Sequence, residues 1–451
     1  MIKAGRIVII GGNAAGPAAA AKAKRVNPNA EIIMFEAGKF ISTGTCEMPY
    51  VLSQDIADYK KIVYYSPEEF KKEKGVEVFV NHLAETIHTT EKVVEVRDLK
   101  ENILRNINYD KLILATGSIP QKIEYLANKA KNVFNFKTVE DLFKICRYIQ
   151  ENRPKTCAVI GAGYVGLEIT EALSKLNLEV IQIEKEKLPL LSAEIEIRFL
   201  IKELLKEKEI RSFYGVSKPI IHFTETLDKI KSIEIESRMI DIDLIISAAG
   251  FSPNNLLARK AKLEIGKLNG IKVDNTLRTS DPNIYAAGDN IEIKNAVTNK
   301  NDFIPLATIA HEYGHIAGAN AAGENIHVEP VIKNLAVKIF DKYFVTIGIT
   351  SEEAEMNRNK FTSVSQAVPN LVKVMPGSEN VFGKILFETE GKRILGASFL
   401  GGKEVAGYGD IISSLIKTRQ TADTLARLNY SYTPPLSPLV NLLSVLGRKI
   451  K

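Results

Sequence analysis

The sequence predicts an α/β fold with two Rossmann-like units followed by a C-terminal α+β unit. Three observations carry that expectation. An apolar strand running into a glycine-rich turn and a helix occurs twice, and each time a second strand follows that ends in an acid. Beyond about residue 330 this pattern gives way to shorter strand-like runs.

In the first unit Arg6-Ile7-Val8-Ile9-Ile10 is the apolar strand and Gly11-Gly12-Asn13-Ala14-Ala15-Gly16 the turn. An alanine-rich helix follows, then Glu31-Ile32-Ile33-Met34-Phe35, which ends in Glu36. The second unit repeats the plan with Cys157-Ala158-Val159-Ile160, the turn Gly161-Ala162-Gly163-Tyr164-Val165-Gly166, a helix, and Val180-Ile181-Gln182-Ile183 ending in Glu184. Glycines at such turns let backbone approach a pyrophosphate, and the helix N-terminus supplies amide donors and partial positive charge. The acid about 20 residues on accepts from a ribose hydroxyl. One glycine-rich turn is weak evidence for a dinucleotide; two in the right context, each with its acid, are strong. Asn13 replaces the second glycine, so the first turn is expected to be imperfect. Glu184 would repel a 2′-phosphate and favours NADH over NADPH, although Lys185 and Lys187 lie close by.

Lys111-Leu112-Ile113-Leu114-Ala115-Thr116-Gly117-Ser118 closes the first unit, and Leu244-Ile245-Ile246-Ser247-Ala248-Ala249-Gly250 closes the second. A further segment, Asn283-Ile284-Tyr285-Ala286-Ala287-Gly288-Asp289, places an acid after a strand and a glycine. In the C-terminal unit, strand-like runs at Leu335-Ala336-Val337-Lys338-Ile339-Phe340 and Lys384-Ile385-Leu386-Phe387 precede an apolar helix expected near residues 410–425. A proline-rich tail, Tyr432-Thr433-Pro434-Pro435-Leu436-Ser437-Pro438, ends the chain's readable pattern.

Composition narrows the function. A chain of 451 residues exceeds one core and suggests about three domains. Its net charge of +6 is spread over 60 basic and 54 acidic side chains with no basic block, which argues against nucleic acid as a partner. No stretch of about 18 apolar residues predicts a membrane span. Three cysteines do not make a disulfide framework, so a reducing, cytoplasmic setting is expected.

Cys46 is the sharpest single residue, in Ser42-Thr43-Gly44-Thr45-Cys46-Glu47-Met48-Pro49-Tyr50. Small polar neighbours are a poor composition for a core cysteine, and a reactive thiolate needs a helix start or a positive neighbour to lower its pKa. The flanking sequence offers only the helix start. Cys146 lies in an amphipathic run and Cys157 begins a strand, so both are expected to be structural. His311-Glu312-Tyr313-Gly314-His315 matches the zinc-protease pattern, but Gly314 is a poor helix residue and no third ligand follows convincingly.

Taken together, these residues resemble the flavin-dependent pyridine nucleotide–disulfide oxidoreductases over essentially the whole chain. The single Cys46 looks like the branch of coenzyme A–disulfide reductases, persulfide reductases, NADH oxidases and NADH peroxidases. The resemblance implies FAD on the first unit, NADH or NADPH on the second, and a homodimer. It also implies a split FAD domain at 1–120 and 242–328, a nucleotide domain at 121–241 and a dimerisation domain at 329–451. Cofactor contacts carried over are Gly11, Gly12, Ala15, Gly16, Glu36, Thr116, Gly117, Asp289 and Ala307 on one side. On the other are Gly161, Gly163, Tyr164 as a lid, Val165, Gly166, Glu168, Glu184 and Gly250.

Oxidases and peroxidases of the branch carry a His where this chain has Ala14, as the coenzyme A–disulfide reductases do not. Lys22 and Arg25 match the basic run whose arginine contacts coenzyme A phosphates; Ser42, Thr45 and His311 are further expected substrate contacts. Tyr432 matches a tyrosine that a second subunit projects toward the active site. Glu47, in place of the usual glycine, and Val374-Met375-Pro376-Gly377, in place of Tyr-Tyr-Pro-Gly, depart from the pattern. The activity implied is reduction of coenzyme A disulfide or a related disulfide or persulfide. An NADH oxidase, a flavin reductase of a protein electron carrier and a redox-sensing flavoprotein are the alternatives.

Overall fold

The computed structural model describes residues 5–126 and 130–450. Strand β1 (Arg6–Ile10), helix α1 (Ala15–Val26) and strand β2 (Glu31–Glu36) form the first unit as the pattern requires. β1 and β2 pair in parallel, and Ile7, Val8, Ile9, Ile32 and Met34 are buried, as expected for strands covered on both faces. The five-stranded sheet runs Ile284–Ala286, Lys111–Leu114, β1, β2, Glu77–Val80. Every pairing in it is parallel.

A second parallel sheet runs Val133–Asn135, Leu244–Ser247, Thr156–Ile160, Glu179–Glu184 and Arg211–Tyr214, its outer strand Val133–Asn135 coming first in the chain rather than last. It lies wholly between the strands Lys111–Leu114 and Ile284–Ala286 of the first sheet along the chain. The C-terminal sheet is antiparallel, in the order Asn334–Ile339, Lys342–Gly348, Ile394–Gly401, Asn380–Glu388, Phe361–Pro369.

One boundary differs from expectation. The helix predicted at 410–425 runs from Val405 to Lys417, and a separate 3-10 turn occupies Ala422–Ala426. Arg419, at φ 55°, takes a left-handed conformation that ends the helix, a break the apolar periodicity across it conceals.

Buried ions tie the second sheet's helices to the C-terminal sheet. Lys384 sits 2.9 Å from both Glu194 and Glu196, and Glu194 also accepts from the Ser351 amide at 2.7 Å. Glu171 pairs with Lys338 and accepts from the Phe340 amide at 2.6 Å. Among the described residues no helix is long and apolar enough to cross a membrane.

Gly314 lies inside a regular helix, Ala307–Ala321, despite its low propensity. Tertiary packing explains it: a Cβ there would fall 2.3 Å from the Ala15 carbonyl oxygen, and one at Gly318 2.1 Å from that of Ala19. The two glycines let this helix press its backbone onto α1. Gly314→Val is therefore expected to lower stability by about 2 kcal/mol or more through overpacking. Glu312→Ala, on the exposed face, should change it by less than about 0.5 kcal/mol. Thermal unfolding of the two variants checks this.

Candidate active site

Both glycine turns are shaped by contact between backbone and backbone. Gly11 holds φ 114°, and a Cβ there would meet the Ala115 carbonyl oxygen at 2.1 Å; at Gly16 it would overlap the Gly11 oxygen at 1.8 Å. In the second turn Gly161, at φ 104°, meets the Ala248 oxygen at 2.5 Å, and Gly166 the Gly161 oxygen at 1.9 Å.

The helices that follow have no side-chain cap and no acid in their first turn. Elsewhere Ser66, Thr138 and Thr350 start helices with complete capping boxes and acids. In α1 the Gly16 amide bonds the Asn13 carbonyl at 3.1 Å and Pro17 has none, so the Ala15 amide there and the first amides of Tyr164–Lys175 are left for an external anion, which fits the pyrophosphates of two dinucleotides. A Cβ added at Gly163 or Gly117 would meet no described atom within 4 Å, so the backbone there is open to a ligand.

The acids match as a pair. Glu36 accepts from the Gly12 and Gly38 amides, each at 2.6 Å. Burial pushes its carboxyl upward, and the amides of Gly38 and Gly12 oppose that shift. Glu184 accepts from the Ala162 amide at 2.5 Å and the Glu186 amide at 2.9 Å. These bonds fix each carboxylate at its turn and leave lone pairs for hydroxyls.

A third loop converges on the first turn. Thr116 Oγ1 donates to the Asn254 carbonyl at 2.6 Å, Gly117 takes φ 66°, and Ser118 Oγ donates to Asp289 Oδ2 at 2.9 Å. Gly288 brings Asp289 to α1: its Cβ would lie 3.1 Å from that of Ala15. Gly250 also has a positive φ, 102°, and its carbonyl accepts from the Gln121 amide. Ala307, exposed, opens its helix after an uncapped Leu306.

Cys46 is held to the same turn. Strand β3 (Ile41–Thr43) pairs with a later strand, Val63–Tyr65. The Ser42 amide donates to the Gly12 carbonyl at 2.8 Å, and the Thr43 amide to Asn13 Oδ1 at 2.9 Å. Asn13 is therefore no imperfection; its side chain ties the turn to the cysteine segment. Ser42 has φ 50°, and Thr45 opens a 3-10 turn, Thr45–Glu47, that runs into the short helix Met48–Leu52. All three cysteines are free thiols, with Cys46 exposed, Cys146 half-buried and Cys157 buried.

The surroundings of Cys46 hold its thiol above the ordinary value. Partial desolvation is the largest cause, followed by the charges of Glu47 and Glu168; Lys137 opposes them. Lys137 Nζ lies 3.5 Å from Asp289 Oδ2 and 4.5 Å over the Phe251 ring. Nothing local marks Lys137, which precedes a helix cap some ninety residues from Cys46 in the chain. Burial pushes Tyr164 up to about 12, with smaller contributions from Asp289, Cys46 and Glu168. Burial, then the neighbouring Glu171, pushes Glu168 up to about 8 against Lys338. Cys46, Tyr164, Glu168, Asp289 and Lys137 thus meet where the two units face each other.

A second cluster is cationic. The rings of His311 and His315 stand 4.6 Å apart, and His315 is lowered by burial, then by His311, Arg25 and Lys22. Lys22 Nζ lies 3.8 Å from Glu324, and Arg25 is exposed. Among the described residues no three His, Cys, Asp and Glu side chains gather to hold a metal. The histidines lie beside Lys22 and Arg25, and His315 is a member that sequence reasoning had assigned no role. Tyr432, 48% exposed in the tail, makes no hydrogen bond or ring contact with either cluster among the described residues.

Two uncapped dinucleotide turns facing one exposed thiol define a two-nucleotide oxidoreductase. The pyridine nucleotide-disulphide oxidoreductase family model matches residues 5–314. The chain is 31% identical to an NADH oxidase of Methanocaldococcus jannaschii, over 98% of this chain and 97% of that protein. It is 30% identical to a coenzyme A-dependent NAD(P)H sulfur oxidoreductase of Pyrococcus abyssi, over 99% and 98%. An NAD-dependent persulfide reductase from A. fulgidus superposes with a TM-score of 0.93 at 30% identity, covering 98% of this chain and 82% of that one. The chain belongs to the pyridine nucleotide-disulphide oxidoreductases, whose cofactors are FAD and a pyridine nucleotide.

Glu168 yields a pH prediction. Its folded value, about 8, lies above its ordinary 4.5, so the folded state holds a proton that the unfolded chain releases. The stability it contributes is complete below about pH 4.5 and is lost as pH rises through about 8. Across that window stability should fall by about 1 kcal/mol per pH unit on this account. Glu168→Gln should flatten the fall, as urea unfolding of cofactor-free protein at several pH values would show.

Proposed function

We propose that this chain is an NAD(P)H-dependent flavoenzyme that reduces coenzyme A disulfide, or a related small disulfide or persulfide, through Cys46. One observation carries the proposal most: a single exposed thiol is tied, through Ser42 and Thr43, to the first dinucleotide turn. Gly11, Gly12, Ala15, Gly16, Glu36, Thr116, Gly117, Asp289 and Ala307 would hold FAD. Gly161, Gly163, Tyr164, Val165, Gly166, Glu168, Glu184 and Gly250 would serve the NAD(P)H side. Bound together, the two cofactors supply a two-electron reduction at the sulfur.

The residues do the rest. Cys46 as thiolate attacks one sulfur of the disulfide; a Cys46–substrate bond forms, the substrate S–S bond breaks and one thiol leaves. Two electrons then cleave the mixed disulfide, a second thiol leaves and the Cys46 thiolate returns. The sum is NADH, one proton and a disulfide going to NAD⁺ and two thiols. Lys137 is the cation that favours the thiolate between these steps. Lys22, Arg25 and His311 would take the anionic end of the substrate, with Ser42 and Thr45 nearer the sulfur.

The same reading makes the protein a cytoplasmic homodimer in which a second copy brings its Tyr432. Three unpaired thiols support a reducing compartment, and exposed Tyr432, Leu436 and Leu439 support a covered tail. It divides the chain into a FAD domain (1–120 and 242–328), a nucleotide domain (121–241) and a dimerisation domain (329–451). The interleaving of the two parallel sheets supports that division.

A second reading, an NADH oxidase cycling Cys46 through sulfenic acid, is supported by the name of the Methanocaldococcus relative. Against it, Ala14 offers no proton donor at the turn.

Anaerobic NADH oxidation with coenzyme A disulfide should release two thiols per NADH. Cys46→Ser should abolish this while sparing reduction of the flavin by NADH. NADH loss only in air, without thiol release, would favour the oxidase. Removing the charge at Lys22 and Arg25 together should raise KM for coenzyme A disulfide roughly tenfold with less effect on kcat, from the lost charge-assisted contacts. Steady-state kinetics of the double variant checks this.

A further inference from the structure

The residue after the cysteine is a carboxylate held in place. Tyr64, on Val63–Tyr65, donates its hydroxyl to Glu47 Oε1 at 2.9 Å. The pair lies directly over Gly44: a Cβ there would fall 2.4 Å from Glu47 Oε2 and 2.8 Å from the Tyr64 hydroxyl. Pairing of β3 with Val63–Tyr65, and the Gly44 amide bond to the Ile62 carbonyl at 2.7 Å, set the strand that carries Tyr64 against the 3-10 turn that carries Glu47. Glu47 is thus an acid tethered across the cysteine loop rather than a side chain free to turn into solvent.

Its charge bears on the sulfur. Glu47 and Asp289 act on Cys46 with one sign, joined by Glu168 once it ionises as pH rises through about 8, and Lys137 opposes them. Tyr64 is 56% exposed, so the tether stands on the solvent side of the cysteine loop. The cationic residues Lys22 and Arg25, with His311 and His315 beside them, belong to a different place, between α1 and Ala307–Ala321. Charge at the sulfur and charge at the remote cluster therefore have opposite sign.

We propose that Glu47, tethered by Tyr64, is a specificity-determining residue that admits to Cys46 sulfur compounds uncharged beside the reacting sulfur and turns away those with a carboxylate there. The favoured substrate class is a disulfide or persulfide with neutral, amide-bearing atoms next to sulfur and any anionic group far from it. This rests on the sulfur-reductase reading for the substrates, though the screening itself does not need turnover.

The test separates the two. Alkylation of Cys46 in the FAD-loaded protein by iodoacetate and by iodoacetamide, resolved by peptide mass, compares an anionic with a neutral reagent. Glu47→Gln should raise the iodoacetate-to-iodoacetamide rate ratio by roughly fivefold, as expected for one nearby charge in a partly hydrated site. Glu47→Ala gives the same readout if the Gln variant fails to fold, and added salt should raise the ratio in the unmodified protein. The ratio of kcat/KM for dithiodiglycolate, whose carboxylates sit one carbon from sulfur, to that for neutral pantethine should rise in the same direction. Tyr64→Phe, which frees the carboxylate without neutralising it, should fall between. An alkylation ratio unchanged by both Glu47 variants overturns the proposal. A ratio that moves while neither of these disulfides nor coenzyme A disulfide is reduced by the unmodified enzyme leaves the screen standing and overturns the sulfur-reductase reading instead.

Discussion

The structure depends on carbonyl oxygens packed where a Cβ would otherwise be. At Gly11 and Gly16 the backbone of one segment occupies the side-chain volume of the next, and Gly161 and Gly166 repeat the arrangement. Only residues without a Cβ permit it. That contact brings strand, turn and helix so close that the helix's first amides face outward together. It also sets the acid of the second strand against the second residue of the turn, as Glu36 with Gly12 and Glu184 with Ala162. Gly314 and Gly318 extend the principle to the back of α1, where a helix lies on backbone instead of on side chains.

The thiol has the opposite character. Burial is the largest influence and acidic neighbours add to it, so the protein alone favours sulfur in its protonated state. A lone cysteine beside a carboxylate would be a poor nucleophile at neutral pH. What makes the site chemically coherent is its placement between two nucleotide turns, because a sulfur leaving a mixed disulfide departs as thiolate whatever its resting state. Lys137 keeps the charge of the thiolate from being wholly unfavourable.

Much of this was legible in the chain, for identifiable reasons. The paired turns show because glycine spacing is dictated by local backbone geometry, and the two sheets confirm the strands drawn from them. The exposure of Cys46 was visible in its small polar neighbours. Residues whose meaning lies in distant contacts were misjudged. Asn13 looked like a flaw because its partner, Thr43, is thirty residues away. Gly314 looked unfit for a helix because the backbone it accommodates belongs to α1. Lys137 carries no local signal, and the helix end at Lys417 was hidden because the left-handed turn at Arg419 interrupts no apolar pattern.

The interleaving of the two parallel sheets bears on how the chain is made. The second sheet closes with residues 133–247, so all its strands leave the ribosome in one stretch. The first sheet has an outer strand, Ile284–Ala286, that emerges about 170 residues after its neighbour Lys111–Leu114. At about 5–20 residues per second that is a wait of roughly 10–30 s. During it, Lys111–Leu114 presents an unpaired apolar edge, the kind that invites pairing with another chain. The nascent protein is therefore most exposed to misassembly at the very sheet that later carries its first nucleotide turn. A chaperone acting on this chain would have its main work in that interval, before residue 286 appears.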